Sequence, residues 1–257
     1  MSWTYEDFTK AIFKLTNIDL SCYKERQMKR RIDSLISRNN YSQYDEFYRA
    51  LISDKDLLEH FVNYITINVS EFFRNASQWE VLKKDILPLL IKKYGELKVW
   101  SAACSTGEEP YSMVMLLHEF FPLEEIKILA TDIDKEALEK AKEGIYVAKS
   151  LQSLPKEYVR KYFTVKDGLY KLDDRIKQRV EFKRHNLLVD PFPNNCHLII
   201  CRNVLIYFTE EAKSQLYLKF HDALAKDGIL FVGSTEQIIF PQRYNLKSVQ
   251  TFFYKKI

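Results

Sequence analysis

The chain has 257 residues, 46% hydrophobic and 14% aromatic, enough apolar material for one large domain or for a small and a medium one. Its net charge of +4 is too mild to argue for nucleic acid, for which a basic stripe counts more than a small total. Four cysteines without a CxxC pair or a nearby histidine cluster exclude an evident zinc site, and no run of about 18 apolar residues suggests a membrane span. With a polar, acidic beginning that lacks a signal-peptide core, these features predict a cytoplasmic protein whose thiols stay reduced and unpaired.

The first seventy-five residues read as helices. Phe8, Ile12, Phe13 and Leu15 repeat at helical spacing, and Asp19-Leu20-Ser21 breaks the run. Lys24 to Arg38 forms a second helix with Met28, Ile32, Leu35 and Ile36 on one face; Tyr44–Ser53 and Asp56–Ile65 form a third and a fourth. No glycine or proline precedes residue 88, which favours a compact helical domain over 1–75 rather than a linker. The second helix carries six basic side chains against two acidic ones, while residues 1–75 as a whole balance at eleven of each sign. Such a run is either a solvated face or a docking face for an acidic partner.

The remainder, 76–257, alternates strand and helix. Strands are expected at 97–102, 127–132, 197–201 and 228–232, with a short one at 251–254, and helices at 110–121, 135–143 and 209–226. This order predicts a mostly parallel sheet covered on both faces. Residues 160–183 interrupt it. Asp167-Gly168 between short β runs signals a hairpin, and Arg179 to Lys183 supplies a candidate third strand, so this stretch reads as a small antiparallel insert.

Candidate site residues fall where strands end. In Val99-Trp-Ser-Ala-Ala-Cys-Ser-Thr-Gly107-Glu108-Glu109-Pro110, a strand runs through small residues into a helix. There is no GxGxxG, and the acidic pair at the helix start repels phosphate but suits a cationic ligand. A plain strand–helix turn, with the acids complementing the helix dipole, accounts for it equally well. Asp132 ends the second strand, where an acid can hold both hydroxyls of a ribose, and Asp134 is placed to cap the next helix. Arg202-Asn203 follows an apolar strand, and Asn186 could lie against an adenine; each also reads as an ordinary loop. Asn68, Ser70 and Arg74 cluster beside Phe72 and Phe73, with the phenylalanines expected in the core and the polar groups at a ligand.

Together these stretches resemble the chemotaxis receptor methyltransferase (CheR) family. The matching pieces are Tyr23-Lys24 with Arg30-Arg31, Asn68-x-Ser70-x-Phe72-Phe73-Arg74, the specific run Trp100–Ser112, Ala130–Asp134, His185–Leu188, Cys201–Val204 and Ile206-Tyr207-Phe208. They occur in order over nearly the whole chain. The resemblance implies an α/β architecture: a Rossmann-like S-adenosylmethionine-dependent methyltransferase domain, an N-terminal all-helical domain and a small inserted antiparallel β-subdomain. It implies S-adenosylmethionine as methyl donor, S-adenosylhomocysteine as product and no metal. The acceptors it implies are glutamate carboxylates in the acidic helical methylation region of chemotaxis receptors, methylated by a monomer that does not bind nucleic acid.

Cofactor contacts carried over are Asn68, Ser70, Arg74, Asp132, Asn186, Leu187, Asn203 and Val204, with Glu109 favoured over Glu108. Position 70 is commonly threonine in the family, and serine keeps the hydroxyl. A glutamate carboxylate is ionised at neutral pH, so no general base is required, and Arg74 or Arg202 is expected to orient it. Arg26, Lys29, Arg30 and Arg31 are expected to dock the receptor. Some members capture a receptor C-terminal pentapeptide with a glycine-rich loop in the β-subdomain; the short Thr164–Tyr170 hairpin lacks it, which predicts a pentapeptide-independent member. Three other readings are weaker. An NAD-dependent oxidoreductase lacks its glycine-rich turn, a non-catalytic S-adenosylmethionine sensor does not explain the retained motifs, and the acceptor could be another acidic protein.

Overall fold

Thr4 starts the first helix, α1 (Tyr5–Thr16), with a reciprocal cap: its hydroxyl accepts from Asp7 N, and the Asp7 carboxylate accepts from Thr4 N. Three more helices follow: α2 (Glu25–Arg38), α3 (Tyr44–Ser53) and α4 (Lys55–Ile65). Each turns its apolar stripe inward. Phe8, Phe47 and Phe61 are fully buried and meet ring to ring at 6.0–6.4 Å. The structure, a computed structural model, describes residues 2–257 and divides into two compact units. The first runs to Ile67 and takes in Leu205–Leu216, which is tied back by Lys24 N donating to Tyr207 O and Thr209 N to Cys22 O.

The second unit, Asn68–Val204 with Tyr217–Ile257, begins at Asn68 rather than after residue 75. Helices α5 (Ala76–Val81) and α6 (Leu87–Tyr94) are joined by a π turn over Leu82–Ile86. Pro88 explains the wide turn, because it has no N–H to donate and its ring crowds the carbonyl four residues back. Then come β1 (Val99–Ala102), α7 (Glu108–Leu117), β2 (Ile128–Asp132), α8 (Lys135–Glu143), β3 (Ile145–Val147), α9 (Lys156–Tyr162), β4 (Phe163–Lys166), β5 (Leu169–Leu172), α10 (Asp174–Lys177), β6 (Val180–Arg184), β7 (Cys196–Cys201), α11 (Glu210–Ala223), β8 (Leu224–Val232), β9 (Leu246–Gln250) and β10 (Phe253–Lys256).

Seven strands form one sheet in the order β6-β2-β1-β7-β8-β10-β9, parallel except for β10. The strand order reverses between β1 and β7, so the crevice beyond their carboxyl ends is where such a sheet binds ligands. Buried β1 and β7 run as continuous apolar segments, as strands covered on both faces do. The second sheet is β3-β5-β4, closed by a two-residue turn in which Asp167 (φ 52°) and Gly168 (φ 77°) are both left-handed.

Two details differ from the expectation. Val180–Arg184 is not the third strand of the insert. It pairs parallel with β2 at the edge of the large sheet, and the insert's third strand is Ile145–Val147. The C-terminal strand lies beside an unexpected partner, β9. No helix among the described residues is long and apolar enough to cross a membrane.

Gly107 sets the turn between β1 and α7. It has φ +91°, and a Cβ there would stand 2.9 Å from Ala141 Cβ and 3.0 Å from Tyr111 Cε2. Gly107→Ala therefore combines a strained backbone with a clash against α8, and should lower the unfolding free energy by about 1–3 kcal/mol or more in a denaturant titration.

Candidate active site

The site is built on loops that leave the carboxyl ends of β1, β2, β6 and β7. Asp132, the last residue of β2, is buried, and its two oxygens accept from Ser105 N at 2.8 Å and Asp134 N at 2.9 Å. The Ile133 N–H also hydrogen-bonds it, and since a carboxylate has about four acceptor sites, capacity remains for a ligand hydroxyl. Burial is the main influence on Asp132 and raises its pKa to about 6. Asp134 is the expected cap: one oxygen accepts from Ala137 N at 3.1 Å, while the other accepts from Asn68 Nδ2 at 2.6 Å. Asn68 also accepts from Ser105 Oγ at 3.0 Å, so it joins the loops after β1 and β2.

Glu108 and Glu109 point to different partners. Buried Glu108 accepts from Thr106 Oγ1 at 2.7 Å, and the Ser70 and Ser150 side chains also hydrogen-bond it. Glu109 has fewer partners, Ser101 Oγ at 2.9 Å and Arg202 Nη1 at 3.6 Å. Burial raises Glu109 to about 7 although Arg202 opposes the shift. Glu236, on the loop after β8, adds to it as a like charge, and its own Oε2 accepts from Asn203 N at 2.6 Å and Gly233 N at 2.8 Å. A Cβ at Gly233 would stand 2.5 Å from that same oxygen and 2.9 Å from Asn203 N, so a larger residue would push Glu236 off these donors.

Arg202 is placed otherwise than expected for a group that meets an incoming carboxylate. It is 5% exposed, and its Nη2 donates to Arg74 O and Gln78 Oε1, both at 2.8 Å. Arg74 is half-buried and donates once, from Nη1 to Val69 O at 2.9 Å, leaving most of its fork for a ligand. Asn186 is buried and closes a turn in which its Oδ1 accepts from Leu188 N at 3.0 Å and its N–H donates to Asp190 at 2.7 Å. Leu187 is buried beside it, with its carbonyl held by Lys219 Nζ at 2.7 Å. Asn203 adopts φ 61°, and Val204 is half-buried next to it.

In the helical unit Arg26, Lys29 and Arg30 are exposed. Arg31 turns inward, donating to Tyr64 O with its guanidinium 4.8 Å from the Tyr64 ring.

Sequence reasoning missed Ser101, Ser105, Gln78, Trp79, Gly233 and Glu236. Ser101 and Ser105 lie in the small-residue run already marked as a candidate site, and Gly233 directly follows a strand with an acid three residues later; Gln78, Trp79 and Glu236 carried no local signal.

The donor set fits S-adenosylmethionine. Buried carboxylates at β1, β2 and β8 outnumber the one buried guanidinium, which suits a cation, and Asp132 offers acceptors for a ribose. Fold and site together define an S-adenosylmethionine-dependent methyltransferase of the doubly wound class. Residues 68–253 match the CheR methyltransferase SAM-binding domain, and residues 4–66 the CheR all-alpha domain. A chemotaxis protein methyltransferase of Listeria innocua is 43% identical over 253 residues, covering 98% of this chain and 97% of that protein. One of Borreliella burgdorferi is 34% identical, covering 96% and 92%. The chain belongs to the CheR methyltransferase family.

Because folding raises the Glu109 pKa from its ordinary 4.5 to about 7, this group favours the fold most below pH 4.5 and loses that contribution as pH rises through about 7. In thermal melts of the ligand-free protein, Glu109→Gln should gain stability relative to wild type between pH 5 and pH 8. A difference that stayed flat over that range would show that Glu109 does not titrate in it.

Proposed function

We propose that the protein transfers a methyl group from S-adenosylmethionine to glutamate side chains of methyl-accepting chemotaxis receptors, forming glutamate methyl esters. The observation that carries this reading is the near full-length match to chemotaxis protein methyltransferases, on a chain whose loops carry the buried acid Asp132 and a half-buried Arg74. When bound, S-adenosylmethionine supplies a methyl group on a sulfonium sulfur that leaves as a neutral thioether. Asp132 holds the ribose hydroxyls, Glu109 faces the positively charged amino-acid end, and the Asn186–Leu187 turn receives the adenine. Asn68, Ser70, Asn203 and Val204 line the same loops. Glu109 is better suited than Glu108 because three hydroxyls already occupy Glu108.

The acceptor carboxylate arrives ionised, since its ordinary pKa is about 4.3, so no residue has to remove a proton. Arg74 orients it through its remaining donors, and correct placement is the main catalytic contribution, worth roughly 7–11 kcal/mol in well-oriented systems. Arg202 does not take part in this contact.

Incubating the protein with radiolabelled S-adenosylmethionine and receptor-containing membranes should give label on the receptor that alkali releases as methanol. Arg74→Ala should reduce that transfer by about a hundredfold or more while leaving S-adenosylhomocysteine binding within a few-fold. Label that resisted alkali would rule out a carboxyl ester.

The exposed cations of α2, namely Arg26, Lys29 and Arg30, are proposed to lie along the acidic methylation helices, with Arg31 serving mainly to brace the helical unit. Reversing those three charges should raise the KM for receptor and remove most of its salt dependence, because exposed charges are screened within about 10 Å at 0.1 M salt. The two-residue turn at Asp167-Gly168 leaves no loop to hold a receptor pentapeptide, so calorimetry with such a peptide should show no binding.

A further inference from the structure

Arg74 sits in a strained turn. Its neighbours Phe73 (φ 52°) and Asn75 (φ 61°) are both left-handed, a conformation that a bulky phenylalanine adopts only when its surroundings hold it there. Three contacts do so. Phe73 N donates to Ser112 Oγ at 3.0 Å, while the Arg74 carbonyl accepts from Trp79 Nε1 at 3.1 Å and from Arg202 Nη2 at 2.8 Å. The same Nη2 reaches Asn75 Oδ1 at 3.3 Å and Gln78 Oε1 at 2.8 Å. The other arm of the guanidinium, Nη1, faces Glu109 Oε2 at 3.6 Å, and the group lies 4.7 Å from the Phe231 ring.

One buried fork therefore touches both halves of the site: the backbone of the residue proposed to meet the acceptor and the carboxylate proposed to meet the donor. A buried cation with such partners is expensive to keep out of water, and a lysine, with a single compact ammonium, cannot serve both ends at once.

We propose that Arg202 is a positioning residue that fixes Arg74 relative to Glu109 and so sets the alignment of acceptor and donor. The inference rests on the methyltransferase reading given above, and it assigns Arg202 no contact with either reactant. Its consequence is a split in kinetic effect. Loosening the Arg74 end should lower kcat with little change in donor affinity. Removing the charge beside Glu109 should change how donor binding depends on pH. The groups facing Glu109 are Arg202, Glu236, the Ser101 hydroxyl and the Cys104 and Cys201 thiols; of these only Arg202 favours the ionised form by its charge.

Three variants of the full chain test this: Arg202→Lys, Arg202→Met and Trp79→Phe. Trp79→Phe removes the second donor to the Arg74 carbonyl and leaves a smaller ring beside Phe73, Phe231 and the Arg202 guanidinium. It should lower kcat several-fold with S-adenosylhomocysteine affinity unchanged. Arg202→Lys should lower kcat about ten- to a hundredfold, the penalty typical of a misplaced reacting group, with donor affinity kept within about threefold. In Arg202→Met the pH midpoint of S-adenosylhomocysteine binding, read by calorimetry between pH 5 and pH 9, should move upward by about one unit, because Glu109 would then ionise later. Wild-type kcat in Trp79→Phe, or in a folded Arg202→Lys, would overturn the proposal, as would an unmoved midpoint in Arg202→Met. The calorimetric arm needs no acceptor. A wild-type protein that bound S-adenosylhomocysteine but methylated no receptor would therefore refute the receptor assignment and leave the role of Arg202 beside Glu109 still testable.

Discussion

The loops around the carboxyl edge of the sheet are organised by the cost of keeping carboxylates out of water. Asp132 and Glu109 are both held where the charged form is disfavoured, and each is met by donors that the chain must bend to supply. Asp132 takes a backbone N–H from Ser105 on the loop after β1, which stands at φ 49°, and another from Asp134 on its own loop. Glu109 takes the Ser101 hydroxyl and faces Arg202, and Arg202 in turn holds the turn that bears Arg74. Segments after β1, β2 and β7 and the stretch before α5 are thus brought together by charge and hydrogen bonding at least as much as by apolar packing.

Part of the backbone strain lies on the same segments. Phe73, Asn75, Ala103, Ser105 and Asn203 are non-glycine residues with positive φ, and every one lies on a segment that carries a candidate contact. Such residues persist only where the surroundings over-determine them. Here the restraint is visible at each: Phe73 N bonds Ser112, Asn75 Oδ1 accepts from Arg202 Nη2, Cys104 N next to Ala103 bonds Thr131 O, Ser105 N bonds Asp132, and Asn203 N bonds Glu236. Hydrogen bonds to charged groups contribute about 1.5–3 kcal/mol each, comparable to the strain they hold.

Much of this was legible in the sequence, for local reasons. The amphipathic helices declare themselves by spacing, the buried strands by short apolar runs, the Asp134 cap by its position before a helix, and the hairpin by Asp167-Gly168. What was not legible depends on distant partners. Val180–Arg184 has only Val180 and Phe182 half-buried and the rest exposed, as at the edge of a sheet, and nothing local says whether it joins the insert or lies parallel to β2. Ile145–Val147 is three residues long, and β9 buries only Leu246, so neither carries a periodic signal. The sequence places Arg202 at a strand end but cannot say whether its guanidinium points out to a substrate or inward to Gln78, 124 positions earlier. Phe72 and Phe73 follow a helical stretch and read from sequence as the end of its core. They belong instead to the core of the second unit, where Phe72 packs on Tyr146 and Phe163.

The polarity of the site matches the reaction proposed for it. In the reading proposed, the acids meet the donor and Arg74 meets the acceptor, so the site would orient two oppositely charged reactants without a general base. Both charges disappear as the methyl moves, and a site that gripped them too strongly would stabilise the reactants more than the transition state. The pairing of Glu109 with Arg202 bears on this. A lone buried carboxyl would keep its proton and offer a cation little, whereas one that faces a guanidinium at 3.6 Å is favoured in its ionised form while part of its field is offset. In the role proposed for it, the same guanidinium that steadies Arg74 thereby moderates the pull of Glu109, so that alignment, rather than depth of binding, is what the pair would control.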